Sequence, residues 1–247
     1  MLCFRRRIQI NARRSPKGGE VRAVLEDDFH HFRVALIHHN GIVEKISAEA
    51  PRHPFSACPE ASAALAGLVG MVLNPIANSV SRHTDASLQC THMFDLAGLA
   101  IALAARGHDY RGYEIEVPRY KNGETQARLA RDDGLQLKWD IHNSCILSPA
   151  PYTGVNIREG MARWALSTLP ADESEAALVL RRCAIISLGR NKDIDQEVHA
   201  RPSGRCYAQQ PERAQQAIRI VGSTWDFSER RWALCQDDSE WLQRFSG

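Results

Sequence analysis

The chain has 247 residues, of which 44% are hydrophobic and 24% charged, and its formal net charge is +2. This composition is typical of a soluble globular protein, and the length suits one large domain or two small ones. A charge so close to neutrality gives no electrostatic reason to expect a nucleic acid or a membrane as partner. We therefore expect a small-molecule substrate, and the oligomeric state stays open.

The seven cysteines are an odd number, are widely scattered and include no CxxC pair. Such usage indicates a reducing compartment rather than a disulfide framework. Residues 1–10 lack an apolar segment long enough for a signal peptide, and the longest apolar run, 96–105, is too short to cross a bilayer. We expect a cytoplasmic location.

The N-terminal part predicts an antiparallel three-stranded meander that follows a solvated basic arm at residues 5–14. Strands are predicted at residues 20–26, 32–38 and 42–48. The second and third are joined by Asn40-Gly41, a strong hairpin signal because both residues tolerate positive φ.

Helices are predicted next, at residues 59–69, shortly after Asn74-Pro75, and at 92–105. Pro59 suits the first helical position, where no N–H is needed. The third helix is apolar nearly all round, so it should be buried, and Gly107 is expected to close it.

The second half of the chain predicts strands followed by helices. Strands are predicted at residues 110–119, 125–131 and 135–142, separated by Asn-Gly and Asp-Gly turns. Helices are predicted at residues 157–169, 173–188 and 211–220. Asp172 is expected to cap the second of these, and the aromatic residues of the tail 222–247 predict that it docks onto the body.

These patterns predict an α+β fold in two units. The first, residues 20–107, combines the meander with its helices and carries the candidate site. The second, residues 108–247, is a β-then-α unit with its own hairpin sheet, expected to pack on the first.

The residues with the clearest chemical potential are Cys58 and the triplet Cys90-Thr91-His92, each predicted to lie just before a helix. The helix dipole and unpaired N–H groups favour an anion there, so thiols and an imidazole at such positions predict a metal or thiolate site. Asp28, His30 and His31 open a strand that precedes both, and strand alternation turns the two histidines to opposite faces.

Two thiolates, an imidazole and a carboxylate form a reasonable ligand set for zinc, or for mononuclear iron with an open position. The candidate metal ligands are Asp28, Cys58, Cys90 and His92. The candidate catalytic residues are His31, Cys58, Cys90 and His92. The sequence requires no cofactor, because in a metal-free site a cysteine activated by its helix N-terminus and a histidine could act as nucleophile or acid.

Three further residues are candidates for substrate binding: Arg52, His53 and Tyr110. Arg52 and His53 stand shortly before Cys58 and suit a substrate carboxylate. The sequence contains no Gly-rich phosphate loop, no GxSxG elbow and no HExxH, so nucleotide-driven and α/β-hydrolase chemistry are unsupported.

The segments 28–31, 54–59, 68–70 and 90–96 resemble the bacterial family catalogued as domain of unknown function 2889. In weaker form the resemblance extends through 181–206 and so covers nearly the whole chain. That family has no generally assigned activity, and the resemblance implies only an association with bacteria that degrade aromatic and related compounds.

A more distant resemblance is to the U-type iron–sulfur cluster assembly scaffolds, in which a β-hairpin sheet precedes a Cys-led helix and a later His/Cys pair. It implies that Asp28 matches the strand-start aspartate, Cys58 the helix-leading cysteine, and Cys90 with His92 the late pair. One scaffold thiol is missing here and the late pair reads Cys-x-His, which implies a retained fold with a rebuilt site.

The leading hypothesis is a catabolic enzyme of lyase or hydrolase type that acts on a small aromatic or related organic substrate at the Cys/His/Asp site, with or without a metal. One alternative is a metal or iron–sulfur binding or assembly protein without turnover. The other is an interaction module whose cysteines are core residues.

Overall fold

The computed structural model describes residues 2–245. The strands are β1 Cys3–Ser15, β2 Gly18–Asp27, β3 His31–His39, β4 Ile42–Arg52, β5 Tyr110–Pro118, β6 Glu124–Arg131, β7 Gln136–His142 and β8 Cys145–Ser148. The α-helices are α1 Thr91–Arg106, α2 Met161–Thr168, α3 Ala171–Ile186 and α4 Ser239–Gln243. The longer 3₁₀ helices are Pro59–Leu68 and Ala77–Arg82. The strands form one antiparallel sheet in the order β4-β3-β2-β1-β5-β6-β7-β8, so the α+β prediction is confirmed.

The basic N-terminal segment is a strand of this sheet, and the prediction of a solvated arm there was wrong. In β1 the side chains of Phe4, Ile8 and Ile10 are buried, while Arg5 and Arg7 are half-buried on the other face. The run of charged residues obscures a period-two pattern in which alternate residues, including the buried Arg6, face the core. The two predicted sheets are consequently one sheet.

The chain divides into two compact units, each built from separate stretches. Unit 1 comprises Met1–Arg7, Gly112–Ile194 and Asp226–Leu234. Unit 2 comprises Ile8–Arg111, Asp195–Trp225 and Cys235–Gly247. Whereas the predicted domains were continuous, unit 2 combines the region predicted to carry the site with two later stretches of chain.

In unit 2, helix α1 packs on β2 and β3, and its apolar residues are buried as the sequence predicts. Gly107 closes the helix with φ 69°, a left-handed conformation that glycine adopts without strain. The β3–β4 hairpin turns at Asn40 and Gly41, both with positive φ, as expected. Gly98 allows the close approach of a neighbouring segment, since a Cβ there would lie 2.5 Å from the carbonyl oxygen of Ala77.

Three helix predictions need correction. The segment after Cys58 is a 3₁₀ helix, Pro59–Leu68, rather than an α-helix. Residues 211–220 form turns, because Ile218 and Arg219 instead make isolated β-bridges with His199 and Phe55. Helix α3 begins at Ala171 with Pro170 as its N-cap residue, so Asp172, the predicted cap, lies inside the first turn instead.

The tail docks partly as predicted. Within unit 2, Cys235 and Leu242 are buried with Val24, and Trp241 packs against them. Trp225 is 48% exposed, so not every tail aromatic contributes to this contact. The last two positions of the predicted docking segment, 246–247, lie outside the described residues.

In unit 1, helices α2 and α3 pack together, and α3 also contacts β6 and β7. The hydroxyl group of Tyr113 donates a hydrogen bond of 2.6 Å to the carboxylate of the buried Glu175. Across residues 2–245, no helix has both the length and the apolar character needed to span a membrane.

Candidate functional site

The turn between β2 and β3 is organised by the fully buried Asp27. Its Oδ1 accepts hydrogen bonds from the backbone N–H groups of Phe29, at 2.7 Å, and His30, at 2.8 Å. The same oxygen lies 3.0 Å from Nδ1 of the His30 ring. The carboxylate therefore closes the turn and fixes the ring, so that Nδ1–H faces Asp27 and Nε2 keeps its lone pair.

The His30 ring stacks on His92, which lies in the first turn of α1. The ring centroids are 3.9 Å apart and the ring planes meet at 30°. Both rings are buried beside Phe32, whose centroid is 5.5 Å from His30 and 6.1 Å from His92. Potential ligand atoms of Asp27, His30 and His92 all lie within 4.8 Å of one another, and we call these residues the stacked-histidine cluster.

A second group, which we call the arginine-bound cluster, consists of Glu26, His31 and Asp238. His31 Nε2 lies 2.8 Å from Oδ2 of Asp238, and its Nδ1 lies 3.8 Å from Glu26. Arg33 Nε donates to the other oxygen of Asp238 at 2.6 Å. Burial raises the pKa of Asp238, but the hydrogen bonds and positive charges of His31 and Arg33 prevail and hold it below its usual range.

The predicted substrate-binding Arg52 is buried and holds the chain around the β2–β3 turn. Its Nη1 donates to the carbonyl oxygens of Asp28, at 3.1 Å, and Ser223, at 2.9 Å. Its Nη2 lies 3.2 Å from the Glu26 carboxylate, and the guanidinium lies 4.4 Å from the centroid of the Trp225 ring. These contacts assign its charge to the fold rather than to a ligand.

Three other predicted residues, Asp28, His53 and Tyr110, do not belong to either ligand group described above. Asp28 is fully buried, and its carbonyl accepts the N–H of Trp225 at 2.7 Å. His53 is half-buried and its Nδ1 lies 2.9 Å from the carbonyl oxygen of Ala50. Tyr110 is 43% exposed at the start of β5. Among residues 2–245, the groups with three clustered ligand atoms use Asp27 and Asp238 and do not include Asp28.

Cys58 and Cys90 do lie at the starts of their helices, as the sequence predicts. Burial raises the pKa of Cys58, and the neighbouring Cys90 and Cys206 add to this effect. Burial also raises the pKa of Cys90 to about 12, although the N–H groups of Met93 and His92 act in the opposite direction. A raised pKa disfavours the thiolate form of both groups and, with it, a metal-free thiolate nucleophile.

The sequence reasoning missed Cys206 as a neighbour of these thiols. A hydrogen bond of 3.0 Å from the N–H of Tyr207 to the carbonyl of Gln89 brings its segment beside the start of α1. All seven cysteines lie in the described part of the chain and none forms a disulfide. Neither three-residue ligand group found in that part of the chain includes a cysteine. The predicted ligand set with Cys58 and Cys90 therefore stays a prediction, and it has only His92 in common with the stacked-histidine cluster.

The N-terminal region of the chain resembles a known protein family. Residues 9–106 match the family described as "Protein of unknown function (DUF2889)". This stretch includes both stacked histidines, Cys58 and Cys90, while the weaker resemblance through 181–206 lies outside it. No curated protein and no solved structure matches the chain. The similarity to iron–sulfur scaffolds stays a prediction.

Proposed function

We propose that this protein is an enzyme of small-molecule metabolism that binds one divalent transition-metal ion, zinc or ferrous iron, at Asp27, His30 and His92. The observation that carries the proposal is the gathering of three potential ligand atoms within 4.8 Å of one another. Two imidazoles and a carboxylate are a common donor set of catalytic zinc and non-haem iron sites, which leave positions open for water or substrate.

Local charge favours a cation at this cluster. Asp27 is fully buried, and a buried carboxylate gains from a nearby positive charge. His92 lies in the first turn of α1, where the positive end of the helix dipole disfavours a cation, so the attraction for an ion comes from the Asp27 carboxylate. In the arginine-bound cluster, by contrast, Arg33 and Arg52 already face the carboxylates, so a metal ion would meet two positive charges.

Metal binding requires one ring to leave the stack. An imidazole lone pair lies in the ring plane, so two stacked rings at 30° do not direct their lone pairs at one ion. Breaking such a stack costs about 1 kcal/mol. The binding free energy of a tightly held zinc ion is roughly 10 kcal/mol or more, which exceeds the cost of breaking the stack.

When bound, the ion would polarise a carbonyl or hydroxyl oxygen or lower the pKa of a bound water. We place this chemistry in a lyase or hydrolase reaction on an aromatic or related organic substrate. Asp27 lies 3.0 and 3.3 Å from Nδ1 of His30, so a bound ion would take the place of the proton on that nitrogen and be held by both groups.

A metal-free acid–base role is the second candidate. It is favoured by the contact of both Asp27 oxygens with His30 Nδ1, at 3.0 and 3.3 Å. In this arrangement the carboxylate orients the ring and stabilises an imidazolium, so that Nε2 of His30 can take up and return a proton. A metal carrier without turnover is the remaining alternative, and it shares the metal-binding step of the leading proposal.

The test is the metal content of full-length protein purified without oxygen or chelator, together with titration by Zn²⁺ and Fe²⁺. We expect about one ion per chain in the native protein and in the control His39→Gln, which alters an exposed histidine of β3. His92→Gln and Asp27→Asn should each lose the ion while circular dichroism shows a retained fold. A native protein that neither contains nor takes up either metal would overturn the metal proposal.

Turnover then separates the enzyme from the carrier. A screen of aromatic esters, hydroxy acids and related compounds with the metal-loaded protein should give product, and His92→Gln should abolish it. A metal-loaded protein that binds but never converts these compounds would favour the carrier. Turnover by a metal-free protein, lost in Asp27→Asn, would favour the acid–base candidate.

A further inference from the structure

A groove of about 740 Å³ lies in unit 1 and shares no residue with the stacked-histidine cluster or the arginine-bound cluster. Five cations line it: Arg5, Arg7, Arg128, Lys138 and Arg231. Only two lining residues are acidic, Glu114 and Glu116, so the lining carries three more positive than negative charges. Because the whole chain has a net charge of only +2, this excess is local to the groove.

Strand alternation builds the groove. Arg5 and Arg7 stand two positions apart on β1, as Glu114 and Glu116 do on β5, so each pair points to one face. Arg5 lies 2.9 Å from Glu116, and Arg7 lies 2.5 Å from Glu114. These ion pairs fix the two arginines as the wall of the groove without neutralising the lining as a whole.

The positive charges of the remaining three cations are balanced less closely by carboxylates. Arg128 shares Glu116 with Arg5, at a distance of 3.1 Å. Lys138 has the Asp140 carboxylate in its neighbourhood but forms no ion pair with it. Arg231 is exposed, and its side chain makes no hydrogen bond or ion pair with any residue between 2 and 245. A guanidinium held at the rim of a positively charged groove is a donor for a ligand.

We infer that this groove binds a small organic molecule with two or more anionic groups, carboxylate or phosphate. Charge complementarity carries the inference, because five cations face two carboxylates in one concave lining. The groove has the size of pockets that hold small molecules and cofactors, roughly 300–1,000 Å³. A nucleic acid would need a longer basic surface with many phosphate contacts. The inference is independent of the metal proposal, since the groove and the stacked-histidine cluster share no residue.

The test is calorimetric titration of the full chain with citrate, as the carboxylate probe, and with pyrophosphate, as the phosphate probe. We expect at least one probe to bind with a dissociation constant of about 1 mM or lower. Arg231→Ala should weaken that binding about tenfold. The matched control is Arg163→Ala, which removes an exposed arginine of α2 outside the groove and should bind like the native protein.

Three outcomes would overturn the inference. One is no binding of either probe at about 10 mM. Another is equal weakening by Arg231→Ala and Arg163→Ala, which would indicate unspecific screening of charge. The third is a single-stranded oligonucleotide that binds far more tightly than both probes and loses affinity in Arg231→Ala, which would assign the groove to nucleic acid. The relative affinities of citrate and pyrophosphate decide between carboxylate and phosphate.

Discussion

His30 and His31 are neighbours in the sequence, yet they belong to two clusters of different character. His31 stands between Glu26 and Asp238, and arginines contact both of these carboxylates. His30 contacts Asp27, whose Oδ1 is satisfied by backbone N–H groups, and stacks on a second imidazole. Carboxylates that already face arginines have their charge compensated within the protein, whereas a carboxylate beside two imidazoles can accept an ion from outside. The first cluster is therefore structural and the second is the candidate for chemistry.

The largest expected effect is a loss of stability when the arginine-bound cluster is changed. Asp238→Asn removes a buried charge that faces both His31 and Arg33 and should lower the free energy of unfolding by about 3 kcal/mol. Denaturant unfolding measures this change. The metal content should stay that of the native protein, and a loss of metal without loss of stability would reverse the assignment of the two clusters.

The next effect concerns the candidate site. Asp27→Asn keeps an oxygen acceptor for the backbone N–H groups of Phe29 and His30 but removes the negative charge. We expect a stability loss of about 2 kcal/mol and at least tenfold weaker zinc binding. Zinc titration with a competing chelator measures the affinity. Equal zinc affinity in variant and native protein would contradict a ligand or orienting role for this carboxylate.

A third effect follows from pH. The pKa of Asp238 is lower in the folded than in the unfolded protein, where its ordinary value is about 3.9. Its contribution to stability is therefore fully present above that value and is lost as the pH falls through the lowered folded pKa. Native protein should lose its advantage over Asp238→Asn in this acidic window, as measured by unfolding at a series of pH values. A constant difference down to the most acidic pH would contradict the assignment.

The smallest expected effect is that of a cysteine substitution, which tests whether the metal is bound by the predicted thiol ligands or by the stacked-histidine cluster. Cys90→Ser replaces a buried neutral thiol and should cost about 1 kcal/mol while the bound metal is retained. A thiol reagent should react with Cys58 and Cys90 only as fast as the protein opens, because both are buried and protonated. Loss of metal in Cys90→Ser would instead support the ligand set predicted from the sequence, which includes Cys58 and Cys90.

The sequence predicts those parts of the fold that depend on local signals. Asn40-Gly41 marks its hairpin, and the apolar run closed by Gly107 marks α1, because these signals lie within one turn or one helix. The position of His92 in the first turn of α1 was predicted for the same reason, since the helix start is a local signal. Asp27 was missed in favour of Asp28 because a shift of one residue at a strand end exchanges the two faces.

Contacts between distant segments could not be predicted. Asp238 meets His31 across 207 residues, and no local pattern connects them. Cys206 likewise lies near the start of α1 although more than 100 positions separate it from Cys90 in the sequence. Arg52 was predicted to bind a substrate anion. Its Nη1 donates to the backbone carbonyl oxygens of Asp28 and Ser223, and such backbone partners cannot be predicted from the sequence of side chains.

The order of the segments in unit 2 has a consequence for protein synthesis. A nascent chain that contains only Ile8–Arg111 of this unit already carries Glu26, His31 and Arg33, but Asp238 is added only after all three stretches of unit 1 have been translated. During that interval His31 and Arg33 lack the carboxylate that contacts both of them in the finished fold. We expect this region to depend most on chaperones and to be most susceptible to proteases until residues 235–245 are made.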